Sequence, residues 1–331
     1  RTCPLRLRHC SIKRIKRGND MVLLKVENLH KSFGGTKAVD GISFEVSRGE
    51  VFGLLGPNGA GKSTTISIIS TLIPPTDGEV YYKGVNILKE PNSVRRNLGV
   101  VPQDIALYPT LTGYENLRFW GNMYGLKGAE LKKRINEVSE IIGLNGRLKD
   151  RVDKYSGGMK RRLNIGAALL HKPELLIMDE PTAGIDPQSR NHILDTVLEL
   201  NRQGVTIIYT SHYMEEVEYL CSRICIMDQG RIIASGTQEE LAELVKGKTR
   251  INLKLDRIDR DILQRLEAIN GVARAELVQD EIAVSGENVD MILADIIGII
   301  AEHGMRISSI DVSKPNLESV FLHLTGKALR D

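Results

Sequence analysis

The stretch from Gly56 to Thr64 has the residue types and spacing of a loop that holds phosphate groups. An apolar run leads into it, and Thr64 to Ile69 leads out as a predicted helix. Glycines let backbone N–H groups converge on phosphate oxygens, and a helix N-terminus adds its positive dipole end. We expect Lys62 to reach the β- and γ-phosphates of a nucleotide and the Ser63 hydroxyl to ligate Mg²⁺. The predicted phosphate-contacting set is Gly56, Pro57, Asn58, Gly59, Ala60, Gly61, Lys62, Ser63 and Thr64.

Two carboxylates stand together at the end of another apolar run, Glu174 to Asp179. Such a run is typical of a buried central strand in a parallel sheet, whose carboxyl edge carries binding sites. We expect Asp179 to help hold Mg²⁺, directly or through water, and Glu180 to polarise an attacking water. The alternatives are an empty glycine-rich turn and two solvated acids. Both alternatives fit poorly with a chain that has the phosphate loop and the two strand-end acids together.

Two further polar side chains follow predicted strands. Gln103 comes after the apolar run that begins at Leu98, and His212 follows the buried-strand run Val205 to Thr210. A lone histidine is more often structural than catalytic, but α/β sites collect at strand ends. Of the seven histidines, His212 is the one that we assign to the site.

A second pair of glycines precedes another predicted helix, which is rich in Ala and Leu. Tyr155, Ser156, Gly157 and Gly158 offer a further helix N-terminus to an anion. A single nucleotide site in one chain does not need two such termini. The surplus indicates a site that is completed by another molecule.

Phe33 lies just before the tight turn Gly34-Gly35, which joins the predicted strands Leu23 to Leu29 and Gly41 to Val46. It could be an ordinary core aromatic, or it could stack on an adenine ring upstream of the phosphate loop. The residue types alone leave both interpretations open.

The order of apolar runs predicts an α/β fold. Helices are predicted from Gly113 to Tyr124, Ala129 to Ile142 and Gln188 to Leu200. Because no strand is expected between residues 104 and 173, that stretch is interpreted as an inserted helical subdomain.

Residues 249 to 313 are predicted to form a separate, small α+β unit. Its predicted elements are the strand Arg250–Leu255, the helix Arg260–Ile269, the strands Ala273–Val278 and Glu281–Val284, the helix Val289–His303 and the strand Arg306–Val312. This order fits a ferredoxin-like βαββαβ arrangement. The pattern contains no catalytic constellation, so a regulatory, dimer-stabilising or packing role is open.

Composition narrows the classes of function. The chain has 331 residues and a net charge of +3, of which residues 1 to 20 contribute seven Lys or Arg and one Asp. The remainder is therefore net negative, and nucleic-acid binding is not expected. Residues 1 to 20 are interpreted as a disordered basic leader or remnant before Met21, with a membrane anchor or targeting role as the alternative.

No apolar run is long enough to span a bilayer. The four cysteines fit a reducing compartment better than a disulfide framework; they are Cys3, Cys10, Cys221 and Cys225.

Taken in this order, the motifs of residues 21 to about 240 resemble an ABC-transporter ATPase subunit. The resemblance implies a P-loop ATPase domain with a helical subdomain at about 104 to 173, followed by the accessory unit at 249 to 331. It assigns Phe33 to adenine stacking, Gln103 to the Q-loop and to Mg²⁺, and His212 to the switch position. The signature is Ser156 to Gly158, and Asp186 is the D-loop residue.

The family implies ATP and Mg²⁺ as ligands and a head-to-tail homodimer, in which each ATP lies between the P-loop of one copy and the signature of the other. It also implies an integral membrane permease as partner and a cytoplasmic location on the inner face of the cell membrane. This sequence departs from the commonest signature at Tyr155 and Met159. The departure, with the tail from Pro315 to Gly326, resembles the daunorubicin-resistance-type (ABC-2 type) exporter ATPases.

The resemblance therefore implies the ATP-hydrolysing subunit of a drug or antibiotic exporter. The alternative is a soluble ABC ATPase that acts on nucleic acid or ribosomes. That class is expected to carry long coiled-coil insertions or two ATPase domains, and the sequence shows neither. A nucleotide-binding regulator without useful hydrolysis is disfavoured because both Glu180 and His212 are present.

Overall fold

A computed structural model describes residues 22–244, 249–278, 280–286, 289–313 and 316–325. The strands are β1 (Val22–Phe33), β2 (Thr36–Ser47), β3 (Val51–Leu55), β4 (Asp77–Tyr82), β5 (Val85–Asn86), β6 (Leu98–Val101), β7 (Leu175–Asp179), β8 (Thr206–Ser211), β9 (Arg223–Asp228), β10 (Arg231–Gly236), β11 (Thr249–Leu255), β12 (Val272–Val278), β13 (Glu281–Gly286) and β14 (Ile307–Ser313). The α-helices are α1 (Lys62–Ile69), α2 (Asn92–Arg95), α3 (Gly113–Met123), α4 (Gly128–Ile141), α5 (Gly157–Leu169), α6 (Pro187–Arg202), α7 (Met214–Leu220), α8 (Gln238–Leu244), α9 (Arg260–Glu267), α10 (Val289–Glu302) and α11 (Leu317–Thr325). The leader predicted at residues 1 to 20 lies outside the described residues.

The central sheet has the strand order β10-β9-β3-β8-β7-β6. Its inner pairs, β9 with β3, β3 with β8, β8 with β7 and β7 with β6, are all parallel. Strands β3, β7 and β8 are buried along their whole length, which explains why they are continuous apolar runs rather than alternating ones. The carboxyl ends of the parallel strands meet at one edge, and the predicted site residues follow them there. The predicted α/β class is confirmed.

A second sheet, with the order β2-β1-β4-β5, covers one side of the central sheet. Its first hairpin turns through Gly34 and Gly35, which both have positive φ, and pairs Phe33 with Thr36. A two-residue turn in which both residues have positive φ matches the twist of the flanking strands, so the predicted tight turn is present. Strands β1 and β2 are longer than predicted, because pairing along the hairpin continues up to the turn.

The chain between β6 and β7 is helical, as predicted. Helix α3 begins with a capping box, in which Thr112 and Glu115 satisfy each other's backbone N–H groups. Helices α3, α4 and α5 pack around a common core that includes Leu117, Ile135 and Leu163. These helices lie between the strand end that carries Gln103 and the strand that carries Asp179.

The C-terminal strands form a separate antiparallel sheet with the order β12-β13-β11-β14. Helices α9 and α10 pack on it through a core of their own. The order of elements is the βαββαβ order expected from the sequence, and their ends differ from the predicted ones by two residues or fewer.

The tail helix α11 packs elsewhere. Its residues Leu317, Val320 and Phe321 are buried in the core that α5, β7 and β8 share, and α11 contacts α7 and α8. The Leu317 backbone N–H donates to Glu218 Oε1 on α7 at 2.6 Å. The last described segment of the chain therefore binds back onto the part that contains the phosphate loop.

Cys221 and Cys225 are buried free thiols. Burial raises the pKa of the Cys225 thiol to about 11, which suits a small apolar side chain better than a reactive one. Cys3 and Cys10 lie outside the described residues.

Within the part of the chain that the structure describes, no helix combines the length and the apolar character needed to cross a bilayer.

Candidate functional site

The phosphate loop connects the buried strand β3 to helix α1. Gly61 caps the helix with φ of 102°, so α1 begins at Lys62 rather than at the predicted Thr64. A Cβ on Gly61 would overlap the Ala38 carbonyl, and a Cβ on Gly56 would overlap the Met227 carbonyl. The close approach of neighbouring backbone explains why these two positions need glycine. Lys62 and Ser63 therefore lie in the first turn of the helix, at its positive end.

Lys62 is a buried cation, with 4% of its surface exposed. Its Nζ donates to the Gly56 carbonyl at 2.7 Å and lies 3.2 Å from Glu180 Oε1. A buried charge needs such partners, because an unpaired one costs several kcal/mol. The loop lysine and the strand-end glutamate, which the sequence assigns to one site, are thus brought together.

Asp179 ends strand β7, one position before Glu180. Its Oδ1 accepts hydrogen bonds from Thr210 Oγ1 at 2.6 Å and from Ser63 Oγ at 3.3 Å. The register of β7 with β8 sets Asp179 opposite Thr210, and the register of β3 with β8 sets Leu55 opposite Ser211. The parallel pairing of these strands is what places the carboxylate beside the first turn of α1.

Glu180 is the point where the predicted groups converge. Its Oε2 accepts from Gln103 Nε2 at 3.2 Å and lies 3.4 Å from His212 Nδ1, while its Oε1 faces Lys62. The residue is 5% exposed and has φ of 45°, a strained conformation for a side chain of this size. Its backbone N–H donates to Thr210 Oγ1 at 3.0 Å, which holds the turn in place. Strain that the surroundings maintain is common at catalytic sites.

The backbone around Gln103 is fixed by Arg161, a residue that the sequence does not single out. Arg161, on α5, is 4% exposed and donates to the Pro102 carbonyl at 2.8 Å and to the Gln103 carbonyl at 2.7 Å. The guanidinium thereby joins the helix that begins at the second glycine pair to the segment that carries Gln103. The basic run after the glycines, Lys160 to Arg162, was the only signal in the sequence.

The second glycine pair begins α5. Ser156 Oγ accepts from the Met159 backbone N–H at 3.2 Å and caps the helix. A Cβ on Gly158 would overlap Ser189 of α6, so this position needs glycine. Asp186 caps α6 by accepting from the Ser189 N–H at 2.9 Å. Among the described residues, no hydrogen bond or ion pair joins this group to Lys62, Asp179 or Glu180.

Tyr155, one of the two departures in this motif, is a core residue. It is 4% exposed, and its hydroxyl donates to the Arg147 carbonyl at 2.7 Å. Gly113 lies against that hydroxyl, where a Cβ would overlap it. The Tyr155 side chain therefore packs against the first residue of helix α3.

Phe33 lies at the end of β1 and is 51% exposed, with Lys31 Nζ 5.0 Å from the centre of its ring. Of the two interpretations that the sequence left open, the core aromatic is wrong. An exposed ring at a strand end remains available for stacking.

Comparisons with known proteins identify the family of the chain. Residues 39–183 match the ABC transporter family. The chain is 53% identical over 312 residues to the linearmycin resistance ATP-binding protein LnrL of Bacillus subtilis (strain 168), covering 93% of this chain and 100% of the relative. It is 38% identical over 315 residues to the daunorubicin/doxorubicin resistance ATP-binding protein DrrA of Streptomyces peucetius, covering 93% and 94%.

Solved structures match about two thirds of the chain. A nucleotide-free ATP-binding cassette from an ABC transporter matches with a TM-score of 0.62 and 29% identity, covering 68% of this chain and 96% of that one. A dimeric, post-hydrolysis ATP-binding cassette, MJ0796, bound to ADP and Pi, matches with a TM-score of 0.60 and 27% identity, covering 65% and 98%.

Proposed function

Because the chain belongs to the ATP-binding subunits of ABC transporters, we propose that it powers export through a separate membrane subunit by using Glu180 to activate water for ATP hydrolysis. The convergence of Lys62, Gln103 and His212 on the Glu180 carboxylate carries this proposal. A buried carboxylate at a strained turn beside a phosphate loop is placed to accept a proton from water. Its neighbours hold it in one orientation.

The residues of the site divide into phosphate, metal and base contacts. Lys62 and the backbone of residues 56–64 would bind the β- and γ-phosphates. Ser63, Asp179 and Gln103 offer hydroxyl, carboxylate and amide oxygens, a donor set that fits Mg²⁺, and they would hold the ion there. Mg²⁺, when bound, neutralises charge on the phosphates. His212 would orient the γ-phosphate and the water relative to Glu180.

The signature residues Ser156 to Gly158, which among the described residues form no hydrogen bond or ion pair with Lys62, Asp179 or Glu180, support a site shared between two copies of the chain. Ser156, Gly157 and Gly158 present a capped helix N-terminus that the phosphate loop of the same copy does not use. We assign it to the ATP of a second copy in a head-to-tail dimer, with Asp186 at the boundary between the copies. Phe33 would stack on the adenine of the ATP that its own copy holds.

The membrane subunit is proposed to dock on the helical part of the chain, between Gln103 and Tyr124. Large apolar side chains are exposed there in unusual number: Ile105, Tyr108, Phe119, Met123 and Tyr124. Tyr108 and Phe119 pack edge to face with ring centres 4.9 Å apart. Clustered exposed aromatics are typical of protein interfaces. The chain would thus act in the cytoplasm on the inner face of the membrane.

Changing Phe119 to Ser should remove most of the membrane subunit that copurifies with the tagged chain in detergent, since hot-spot aromatics contribute about 2 kcal/mol or more. The matched control is Leu88→Ser, because Leu88 is exposed to a similar degree and lies outside residues 103–124. Copurification should be unchanged in that control. Equal recovery with Phe119→Ser would argue against this docking site. Recovery of ribosomes or nucleic acid in place of a membrane subunit would favour the soluble alternative.

A further inference from the structure

Glu216 is a buried carboxylate with no role in the function proposed above. It lies on α7, four positions after His212, and none of its side chain is exposed. Its Oε2 accepts hydrogen bonds from three hydroxyls, Thr182 Oγ1 at 2.8 Å, Tyr209 OH at 2.8 Å and Ser211 Oγ at 3.1 Å. Its Oε1 forms an ion pair with Arg190 Nε at 2.6 Å. One side chain therefore collects four partners.

The four partners come from three segments around the site, because Tyr209 and Ser211 both lie on β8. Thr182 lies two residues after Glu180, in the turn where the Ala183 N–H donates to the Glu180 carbonyl at 3.2 Å. Ser211 ends β8, immediately before His212. Arg190 lies in the first turns of α6, the helix that Asp186 caps. Glu216 thus links the segments that carry the general base, the switch histidine and the D-loop aspartate.

Ser211 and Arg190, two of the partners of Glu216, also hold Tyr213, the residue after His212. Ser211 Oγ also accepts from the Tyr213 backbone N–H at 2.9 Å, and the Arg190 guanidinium lies 5.0 Å from the centre of the Tyr213 ring. That ring packs against the imidazole of His212 with centres 4.1 Å apart. The residue on each side of His212 is therefore held by a group that Glu216 contacts.

Only a carboxylate satisfies this arrangement. Three hydroxyl donors and a guanidinium all require an acceptor or a negative charge, and leaving any of them unpaired in the interior is costly. Burial, together with the nearby Glu216 charge, raises the pKa of Tyr209 well above its ordinary value, so this hydroxyl stays a donor. An amide at position 216 would turn an NH₂ group toward some of these donors.

Helix α7 itself is held from two further sides. Val217 packs against Gly53 of β3, where a Cβ would overlap its side chain. On another side, Glu218 accepts from the backbone N–H of Leu317 in α11. The position of Glu216 is therefore fixed by the central sheet and by the tail helix, rather than by the polar network alone.

We propose that Glu216 is a positioning residue for ATP hydrolysis, which fixes the turn bearing Glu180 against the strand end bearing His212. The two segments keep one relative geometry, so Glu180 and His212 reach the γ-phosphate together. The proposal rests on ATP hydrolysis as the function. Glu216 acts through its neighbours and does not touch the nucleotide.

The test is steady-state ATP hydrolysis by the full-length chain carrying Glu216→Gln. We expect kcat to fall roughly 10- to 100-fold, as for a small misplacement of catalytic groups, while the KM for ATP changes by less than about threefold. Folding is checked by the thermal midpoint and by the fraction of protein that binds ATP. The matched control is Glu199→Gln, the same change on α6 at a surface carboxylate that pairs with Arg202 and contacts none of the four partners of Glu216. It should behave as wild type.

A second pair of variants keeps the proposal testable if Glu216→Gln does not fold. Thr182→Val removes one hydroxyl from the network with little change of shape, and Thr182→Ser retains the hydroxyl. We expect the valine variant to lose kcat and the serine variant to keep most of it.

The outcomes separate the two proposals. A wild-type chain that does not hydrolyse ATP would overturn the proposed function. An active wild type with unchanged kcat in folded Glu216→Gln, or in Thr182→Val, would overturn only the positioning role. So would a loss of activity that merely follows the folded fraction.

Discussion

Replacing Glu180 with Gln should lower ATP turnover by roughly 10²- to 10⁴-fold, the usual loss when a general base is removed. The amide is nearly the same shape as the carboxylate but cannot accept the proton of water. The variant should still bind ATP, because Lys62 and the backbone of the loop supply the phosphate contacts. Measured phosphate release and ATP affinity test both parts.

A carboxylate at the opposite end of the same strand gives the control. Glu174 precedes β7 and forms surface ion pairs with Arg48 and Lys83. Glu174→Gln makes the same chemical change without touching the site, so its turnover should match that of the wild type. Retained turnover in Glu180→Gln would remove Glu180 from the role of base.

Replacing Lys62 with Ala should weaken ATP binding by about 30-fold or more, because truncating one partner of a buried charge contact costs about 2–5 kcal/mol. Lys62 is the buried cation at the first turn of α1, and the phosphate loop offers the triphosphate no second one among its nine residues. Glu180 keeps Gln103 and His212 as neighbours in this variant, so the turn at residue 180 should persist. Calorimetric titration with ATP measures the loss.

Lys133→Ala is the matched control for the lysine change. Lys133 lies on α4 with 81% of its side chain exposed, and its ion pair with Glu137 is loose, at 3.9 Å. Its ATP affinity should equal that of the wild type. Equal affinity in Lys62→Ala as well would contradict the phosphate role of the loop.

The sequence predicted those parts of the site that depend on local chemistry. The phosphate loop, the acids after β7 and the histidine after β8 follow apolar runs, and parallel pairing brings strand ends to one edge. Glycine spacing and strand ends are visible along the chain, so Lys62, Asp179, Glu180 and His212 could be identified together.

The remaining contacts are long-range, and local patterns do not reveal them. Arg161 and Gln103 are hydrogen-bonded although 58 positions separate them in the sequence, and Thr182 and Glu216 are separated by 34 positions. Arg161 and Thr182 are polar residues on a helix and a turn that also have solvated faces. Their residue types alone therefore do not show that they are buried and hydrogen-bonded. The burial of Phe321 in the core shared by α5, β7 and β8 could not be predicted either, because the apolar stripe of α11 does not indicate which part of the chain it packs against.

Short elements escaped for a different reason. Residues 77–95 form β4, β5 and α2, and residues 214–244 form α7, β9, β10 and α8, none of which was predicted. Helices of one or two turns carry too few periods to be recognised, and β4, β5 and β10 lack the continuous apolar runs that marked β3, β7 and β8. Helix α7 is the most consequential of these, because it carries Glu216.

ATP-dependent dimerisation of the Glu180→Gln variant tests the shared site most directly. Size-exclusion chromatography with light scattering, with and without Mg-ATP, gives the mass of the species. We predict a dimer only with Mg-ATP, and none when Lys62→Ala is added to the same chain. A species that stays monomeric while its ATP site is filled would contradict a site built from the phosphate loop of one copy and Ser156 to Gly158 of the other.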